Sequence, residues 1–314
     1  MSEHNRSKTP AMAGSWPHHN KNVPQHPASF QTAVKKIQPG LTSILVPVFN
    51  NLQCVTLLYR SLAAQTADQP IEMIFIDNHS TEAGMDEFYD NIRLDPRVTV
   101  IRNVGNLGFG KANNCGLQQS HGEFIALINS DMFFFQPWLS PILDHFAGDP
   151  LCAAVQGLIL LPDEGTPLSS WKTQTCGARF DATGLPQYHL AGQLADAPAV
   201  QSLQTLEAFM GTGVVLRRSI LDEVGFFDDS YDIVFMEDTD LSLRISAAGY
   251  RIHFEPRARL IHLHSASMPY LSQEEYDRSR HFNLALFRRK WPPQKIQEIL
   301  LAQGFRSPLH DPTA

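Results

Sequence analysis

The stretch I-E-M-I-F-I-D-N-H-S, residues 71–80, decides the fold class of this chain. Residues 71–76 are apolar except Glu72, which is the pattern of a parallel strand covered on both faces. Ligands in open α/β sheets bind beyond the carboxyl ends of strands, so Asp77 is placed to accept hydrogen bonds from a nucleotide base or ribose. An N-cap role for the helix that follows Ser80 is an equally good interpretation of the same aspartate.

Strand-like and helix-like stretches alternate on both sides of this run. Apolar runs rich in β-branched residues predict strands, whereas apolar side chains spaced three or four residues apart predict helices. Strands are predicted at 42–48, 71–76, 98–101 and 124–128. Helices are predicted between them at 52–65, 85–94 and 109–119. This alternation predicts an α/β fold in which helices flank a mostly parallel central sheet and connect its strands by right-handed crossovers.

The pattern changes in the second half of the chain. Residues 162–205 are rich in Pro, Gly, Thr and Gln without a sustained period, which predicts a loop-rich insertion facing a substrate. Strands are then predicted at 211–217, 250–254 and 259–263. Helices are predicted at 219–224, at 236–248 and, with an amphipathic pattern, at 272–291. Pro292 and Pro293 are expected to end the last helix.

The composition excludes several classes of protein. The chain has 314 residues and a net charge of -7, which argues against a general nucleic-acid binder, because duplex binding needs a basic face. No apolar run approaches the ~20 residues that span a bilayer, and no N-terminal stretch is typical of a signal peptide. The four cysteines form no C-x-x-C pair, so reduced thiols in a cytoplasm are the simplest interpretation. Residues 1–38 are polar and predict a disordered tail.

A glycine-rich segment, N-V-G-N-L-G-F-G-K-A-N-N-C-G, occupies residues 103–116. Gly105, Gly108 and Gly110 can bring the backbone close to an anionic ligand at a helix N-terminus. Lys111 can help to neutralise phosphate. The spacing is neither the dinucleotide fingerprint nor a P-loop, and a simple glycine turn before a helix explains the segment equally well.

The tripeptide Asn129-Ser130-Asp131 follows the strand predicted at 124–128. Asp131 can ligate a hard divalent ion that bridges two phosphate oxygens. Such an ion neutralises charge on a departing diphosphate. A short acidic turn is also a common feature of loops.

Two carboxylates, Glu237 and Asp238, open the helix predicted at 236–248. Acids in a first turn stabilise the helix dipole, which is the structural interpretation. Two adjacent, partly buried carboxylates also repel each other and raise one pKa, which suits a general base. Asp240 and Arg244 are spaced to form a structural ion pair.

Two histidines, His262 and His264, share one face of a predicted strand. Either can ligate a metal through a neutral ring nitrogen, although most such histidines are ordinary polar residues.

In their order and spacing, these segments resemble the family 2 glycosyltransferases, an inverting group with a GT-A fold. The similar stretches are I-L-V-P-V-F-N (44–50), I-F-I-D-N-H-S (74–80), N-L-G-F-G-K-A-N-N-C-G (106–116), I-N-S-D-M (128–132), G-T-G-V-V-L-R-R (211–218), F-M-E-D-T-D-L-S-L-R-I-S-A-A-G-Y (235–250) and H-L-H-S-A-S (262–267). The resemblance covers residues 41–270. Its pattern N-x-G-F-x-x-A-N-N-x-G is similar to the rhamnosyltransferase-like branch.

The resemblance implies a nucleotide-sugar donor, a divalent Mg²⁺ or Mn²⁺ ion, and a role for each matching residue. The residues implied to bind the nucleotide sugar are Pro47, Asn50, Asp77, Asn106, Gly108, Asn114 and Asn129. Asp131 and His262 are implied as metal ligands, and His264 is the alternative to His262. Asp238 matches the catalytic base, with Glu237 beside it. Asn129 replaces the first acid of the family's D-x-D motif, which weakens the expected metal site.

The resemblance also implies how the chain is organised and what it binds. A GT-A domain is expected at 39–270, with the nucleotide side up to residue 160 and the acceptor side at 161–270. A helical extension is expected at 271–314. The expected acceptor is a saccharide or a lipid-linked molecule in cell-envelope polysaccharide biosynthesis. The expected location is the cytoplasm or the inner face of the membrane, which the basic helix at 272–291 would contact. A solvated face of a packed helix explains those basic residues at least as well.

Two other functions stay open. A nucleotidyltransferase shares the α/β sheet and the acid–metal chemistry, but it would show an early Gly-rich loop with a basic residue near the first strand. Here the first strand ends in Pro47-Val48-Phe49-Asn50. A catalytically inactive sugar-binding module is compatible with Asn129, whereas the intact Glu237-Asp238 pair argues against it.

Overall fold

A nine-stranded sheet forms the centre of the protein, and helices pack on its faces. The computed structural model describes residues 36–163, 165–167, 170–263 and 272–306. The strands are β1 (Gln38–Val48), β2 (Ile71–Asp77), β3 (Val98–Arg102), β4 (Gly122–Leu127), β5 (Met132–Phe133), β6 (Cys152–Leu161), β7 (Lys172–Thr175), β8 (Ala178–Phe180), β9 (Pro186–Tyr188), β10 (Val214–Arg217) and β11 (Arg251–His262).

The helices lie between and after these strands. They are α1 (Leu52–Gln65), α2 (Met85–Ile92), α3 (Gly108–Gln119), α4 (Leu139–Gly148), α5 (Pro198–Gln201), α6 (Arg218–Val224), α7 (Glu237–Ala247), α8 (Gln273–Lys290) and α9 (Pro293–Ala302). In the part of the chain that the structure describes, no helix combines the length and the apolar character needed to cross a bilayer.

The first four strands of the large sheet are parallel, as the sequence predicted. Their order is β3-β2-β1-β4, and the register aligns Val48 of β1 with Asp77 of β2 and Arg102 of β3. The carboxyl ends of β1, β2 and β3 therefore meet at one edge of the sheet. Apolar side chains cover both faces of β2, and only Glu72 is partly exposed.

The other half of the sheet is mixed. Strand β10 lies antiparallel between β4 and β6, while β11 runs parallel to β6 and antiparallel to β5. A buried apolar run has the same pattern in either direction, so the sequence could not specify these orientations. The two strands predicted at 250–254 and 259–263 form the single strand β11, whose pairing with β6 is irregular between Glu255 and Arg259.

Several elements were not predicted from the sequence. They are β5, α4 and β6 in the segment 132–161, short strands β7, β8 and β9 and the short helix α5 within the predicted loop-rich insertion, and α9 after the predicted last helix. Helix α9 begins at Pro293, because proline is tolerated in the first turn. The predicted tail reaches the described residues only at its end, where Gln38 already begins β1.

Asp240 of α7 fastens the C-terminal helices to the domain. Its side chain is fully buried and accepts hydrogen bonds from Tyr231 Oη at 3.2 Å and Trp291 Nε1 at 2.8 Å. Arg244 Nε approaches Asp240 Oδ2 at 2.8 Å, which confirms the predicted ion pair, and Lys290 Nζ approaches Oδ1 at 2.5 Å. One carboxylate therefore joins α7 to the end of α8.

We expect Asp240→Ala to lower the free energy of unfolding by about 3–5 kcal/mol, because it leaves buried cationic and polar donors unpaired. Urea unfolding followed by circular dichroism measures the change. The control is Asp90→Ala, whose exposed pair with Arg93 should change stability by no more than about 1 kcal/mol. Equal stability of the two variants would contradict the role of Asp240.

Candidate active site

A cleft with a cavity volume of about 310 Å³ opens beside the carboxyl ends of β1 and β4. Its walls include the loop after β4, the turn before β10, the start of α7 and the end of β11. Most of the residues singled out from the sequence meet in it. They are Pro47, Asn106, Gly108, Asn129, Asp131, Glu237, Asp238 and His262.

Asp77 does not line this cleft. Its side chain is fully buried, Oδ1 accepts a hydrogen bond from Ser80 N at 2.9 Å, and Oδ2 pairs with Arg102 Nε at 3.0 Å. The neighbouring Asn78 lines the cleft instead, and its Nδ2 donates to the Gly108 carbonyl at 3.2 Å. The contact of Asp77 with a nucleotide stays a prediction.

Asn50 is also away from the cleft lining. Its Oδ1 accepts hydrogen bonds from Thr81 N at 2.8 Å and Glu82 N at 3.0 Å, while its own backbone N donates to Ser80 Oγ at 2.7 Å. Asn50 therefore ties the loop after β1 to the loop after β2.

Asn114 joins α3 to the segment before α7. Its Nδ2 donates to the Phe227 carbonyl at 2.9 Å and to Asp229 Oδ1 at 2.7 Å. Its Oδ1 accepts a hydrogen bond from Phe227 N at 3.2 Å. Nucleotide contacts of Asn50 and Asn114 stay predictions.

Asp131 and His262 lie side by side at the β5–β11 end of the cleft. His262 pairs with Met132 across the two strands, and Leu263 N donates to the Asp131 carbonyl at 2.9 Å. Asp131 Oδ1 lies 3.0 Å from His262 Nε2, and both side chains are buried. His262 Nδ1 lies 2.8 Å from Gln174 Oε1. A histidine that donates from Nδ1 to this oxygen presents Nε2 to the cleft as a ligand.

These two side chains fit one side of a magnesium or manganese site. Such an ion binds carboxylate oxygen, and its remaining positions are commonly filled by substrate phosphates and water. Within the described ranges, no three His, Cys, Asp or Glu side chains form a metal-binding group. Asp131 and His262 would therefore hold the ion together with a diphosphate. His264 lies outside the described residues.

Glu237 and Asp238 stand at the first turn of α7. Phe235 and Met236, just before it, adopt left-handed φ values of 87° and 77°, which side chains other than glycine rarely do. Asp238 is half-buried; its Oδ2 accepts from Gly211 N at 2.9 Å. Burial raises the pKa of Asp238, although backbone hydrogen bonds act in the opposite direction.

The environment of Glu237 is less polar. Its side chain is buried, and Oε2 lacks a hydrogen-bond partner among the described residues. Burial, and then the negative charge of Asp238, raise the pKa of Glu237 well above its ordinary value. Burial thus favours the protonated form of both carboxyls, and the mutual repulsion of two adjacent negative charges adds to this effect at Glu237.

Gly108 allows the glycine-rich segment to touch the loop before α7. Its φ is +79°, and a Cβ at this position would lie 2.4 Å from Ile233 Cα. Phe109 N donates to the Ile233 carbonyl at 2.9 Å, and Asn106 Oδ1 accepts from Gly108 N at 2.9 Å. Because Ile233 lines the cleft, this contact sets the shape of the site.

The family described as Glycosyl transferase family 2 matches residues 43–225. The chain belongs to this family. The match includes Asp77 and Asp131, whereas Glu237, Asp238 and His262 follow it.

This family 2 chain is also similar to longer proteins. An uncharacterised protein of Sinorhizobium fredii is 30% identical over 80% of this chain and 27% of its own length. The O-antigen biosynthesis protein RfbC of Myxococcus xanthus is 29% identical over 77% of this chain and 19% of its own length. The chain therefore spans roughly a fifth to a quarter of these two relatives.

A solved structure shows the same fold for the family 2 domain. GalNAc-T7, crystallised with UDP, GalNAc and Mn²⁺, superposes with a TM-score of 0.57 at 18% identity. The comparison covers 71% of this chain and 43% of GalNAc-T7. The predicted GT-A architecture is thereby confirmed.

In this family 2 domain we expect Gly108→Ala to disturb both stability and the cleft. The new Cβ forces the Ile233 backbone to move, so the free energy of unfolding should fall by about 1–3 kcal/mol. Binding of UDP or GDP with Mn²⁺, measured by calorimetry, should weaken in parallel. The matched control is Gly105→Ala, because a Cβ there meets no atom within 4 Å. Identical behaviour of the two variants would show that the Ile233 contact is not restrictive.

Proposed function

We propose that this family 2 domain is an inverting glycosyltransferase that moves a sugar from a nucleotide-sugar donor to a hydroxyl of a saccharide or lipid-linked acceptor. The observation that carries this proposal is that two pairs of residues line one cleft. Asp131 and His262 suit a diphosphate and its metal, and Glu237 and Asp238 suit proton transfer.

Asp238 is the proposed general base. Its carboxylate faces the cleft, and the Gly211 N–H holds one oxygen at a fixed position. A raised pKa makes this carboxylate a stronger base than a solvent-exposed aspartate. Asp238 removes the proton of the acceptor hydroxyl as that oxygen bonds to the anomeric carbon.

The proposed reaction is a single displacement. The acceptor oxygen attacks the face opposite the nucleoside diphosphate, the bond from the anomeric carbon to the leaving oxygen breaks, and the configuration inverts. The proton remains on Asp238, and the electron pair leaves with the diphosphate. Glu237, whose pKa is raised by burial and by the charge of Asp238, has a buried Oε2 without a partner among the described residues, and we propose that it hydrogen-bonds a hydroxyl of the bound sugar.

The nucleotide-sugar side of the cleft is proposed to include the metal. Asp131 and His262 would hold Mg²⁺ or Mn²⁺, which supplies positive charge to the departing diphosphate. Asn129 contributes an amide oxygen where the family's motif has a first carboxylate. Pro47 and Asn106 line the same cleft and are proposed to contact the nucleotide.

The acceptor and the location are proposed from more general features. The name of the relative RfbC assigns that protein to O-antigen biosynthesis. For this chain we therefore favour a role in polysaccharide biosynthesis for the cell envelope. Arginines at four positions of α8 are exposed, together with Phe282, which is 52% exposed. An exposed aromatic among basic side chains favours peripheral contact with an anionic membrane that carries a lipid-linked acceptor. These arginines are Arg278, Arg280, Arg288 and Arg289.

We expect Asp238→Asn to lower kcat for sugar transfer by about 10²–10⁴-fold, because the amide cannot take the proton. Binding of the nucleotide sugar should stay within about twofold, since the replacement has nearly the same shape. Steady-state kinetics and calorimetry with UDP-, GDP- and dTDP-sugars measure the two effects. Asp222→Asn, an exposed aspartate of α6, is the control. Near-normal turnover of Asp238→Asn would refute the base role.

Replacing either proposed metal ligand should reduce the effect of the divalent ion on the affinity for the nucleotide. In the parent protein, Mn²⁺ or Mg²⁺ should increase the affinity for UDP, GDP or dTDP. In Asp131→Ala and in His262→Ala, the factor of this increase should be smaller by at least about tenfold. Calorimetry with and without the ion measures this directly.

The control for the metal experiment is His281→Ala, an exposed histidine of α8. Metal-enhanced binding that persists in both variants would show that Asp131 and His262 do not hold the ion.

A different reaction would identify the alternative enzyme class. Release of pyrophosphate from a nucleoside triphosphate and a sugar phosphate would identify a nucleotidyltransferase.

A further inference from the structure

A small hairpin outside the large sheet brings an aromatic side chain to the cleft. Strands β8 and β9 pair antiparallel, with Ala178 opposite Tyr188. Tyr188 ends β9 and lines the same cleft as Asp238. It is 50% exposed, so much of its ring surface is open to a ligand.

The hairpin holds Tyr188 on a firm backbone. Ala178 and Ala208 exchange two backbone hydrogen bonds of 2.8 and 3.3 Å, which join β8 to the segment before β10. His189 N donates to the Gly177 carbonyl at 3.0 Å. Gly177 has a φ of +92°, and a Cβ there would lie 2.6 Å from Leu206 Cδ1. The position of Tyr188 therefore follows from backbone pairing rather than from a free loop.

Tyr188 lines the cleft together with Asp238, the proposed base, and with Gln174 of β7. Burial, and then the charge of Asp238, raise the pKa of Tyr188, whereas a hydrogen bond with Gln174 lowers it. Gln174 Oε1 is also 2.8 Å from His262 Nδ1. A continuous chain of side chains thus runs from Tyr188 through Gln174 and His262 to Asp131.

This chain gives Gln174 a defined orientation. Its side chain hydrogen-bonds Tyr188 on one side, and its Oε1 lies 2.8 Å from His262 Nδ1 on the other. Gln174 is buried and belongs to β7, which pairs with β6 of the large sheet. One rigid amide therefore sets the positions of a side chain at the acceptor end and of a proposed metal ligand.

We infer that Tyr188 is the acceptor-contact residue of this cleft, that it takes a pyranose ring on its exposed face, and that Gln174 is a positioning residue for Tyr188 and His262. This inference rests on the proposed function. Sugar rings present faces of C–H groups, and an aromatic face is apolar with partial negative charge. A ring half exposed in the cleft that holds the proposed base provides such a surface, and binding sites combine apolar walls with few polar groups in this way.

The experiment compares Tyr188→Ala, Tyr188→Phe and the control Gln187→Ala. Gln187 neighbours Tyr188 in β9, but it points away and hydrogen-bonds Asp181 at 2.9 Å. The probes are p-nitrophenyl pyranosides of glucose, galactose, mannose and N-acetylglucosamine, with UDP and Mn²⁺ present. Glycoside binding is measured by saturation-transfer NMR, and acceptor KM and hydrolysis of nucleotide sugars without acceptor are measured by kinetics.

We expect Tyr188→Ala to weaken glycoside binding and raise acceptor KM at least about tenfold, while Gln187→Ala stays within about threefold of the parent. Tyr188→Phe keeps the ring but loses the contact with Gln174, so its effect should lie between these two. Acceptor-free hydrolysis and UDP–Mn²⁺ affinity should fall in Tyr188→Ala by a much smaller factor than glycoside binding does. Gln174→Ala should weaken both glycoside and UDP–Mn²⁺ binding. This double loss separates positioning from a contact with the acceptor alone.

Several outcomes would overturn the inference. They are a parent protein that binds no pyranoside of the panel, unchanged glycoside binding in Tyr188→Ala, or an equal loss of glycoside and UDP–Mn²⁺ binding in that variant. If the parent binds pyranosides through Tyr188 but neither hydrolyses nor transfers any nucleotide sugar, the contact stands and the transfer reaction fails. The binding and kinetic measurements therefore test the two proposals separately.

Discussion

The parallel pairing of β1 with its neighbours β2 and β4 is the constraint on which the site depends. Parallel strands in register end at the same edge, so the loops that follow them start from one line. Pro47 near the end of β1, Asn78 after β2 and Asn129 after β4 reach one cleft for this reason. Strand β11 adds His262 from the other half of the sheet, where its short pairing with β5 places it beside Asp131.

The C-terminal helices complete this arrangement. Ser279 Oγ accepts from Val234 N at 3.2 Å, and Asn283 Nδ2 donates to the Val234 carbonyl at 2.7 Å. Val234 lines the cleft, so α8 holds part of its wall from behind. Ile233, the residue before Val234, packs against the backbone of Gly108 at the start of α3. The part of the cleft wall formed by Ile233 and Val234 is therefore held by residues of α3 and α8, which are distant from it in the sequence.

The sequence was informative where one physical rule dominates. Continuous apolar runs identified the buried strands β1, β2 and β4, whereas the equally buried β6, which contains Gln156 and Gly157, was missed. The acids at the start of α7 were recognisable from their position. Strand direction was not, because burial does not depend on it. Asp77 meets Arg102 because β2 and β3 are neighbours in the sheet. No local sequence pattern indicates which strands become neighbours. Gln174 and Tyr188 were missed because their short strands lie in an aperiodic segment, where tertiary contacts rather than periodicity determine the structure.

The small β8–β9 hairpin has a consequence for divergence within the family. No described pairing of the nine-stranded sheet uses β8 or β9, whereas Pro47, Asn78 and Asn129 reach the cleft from strands of that sheet. Insertions or exchanges in this hairpin can therefore accumulate without disturbing the register of β1, β2 and β4. Under the proposed function, a gene encoding this domain can change the partner its product recognises while the half proposed to handle the activated substrate stays as it is.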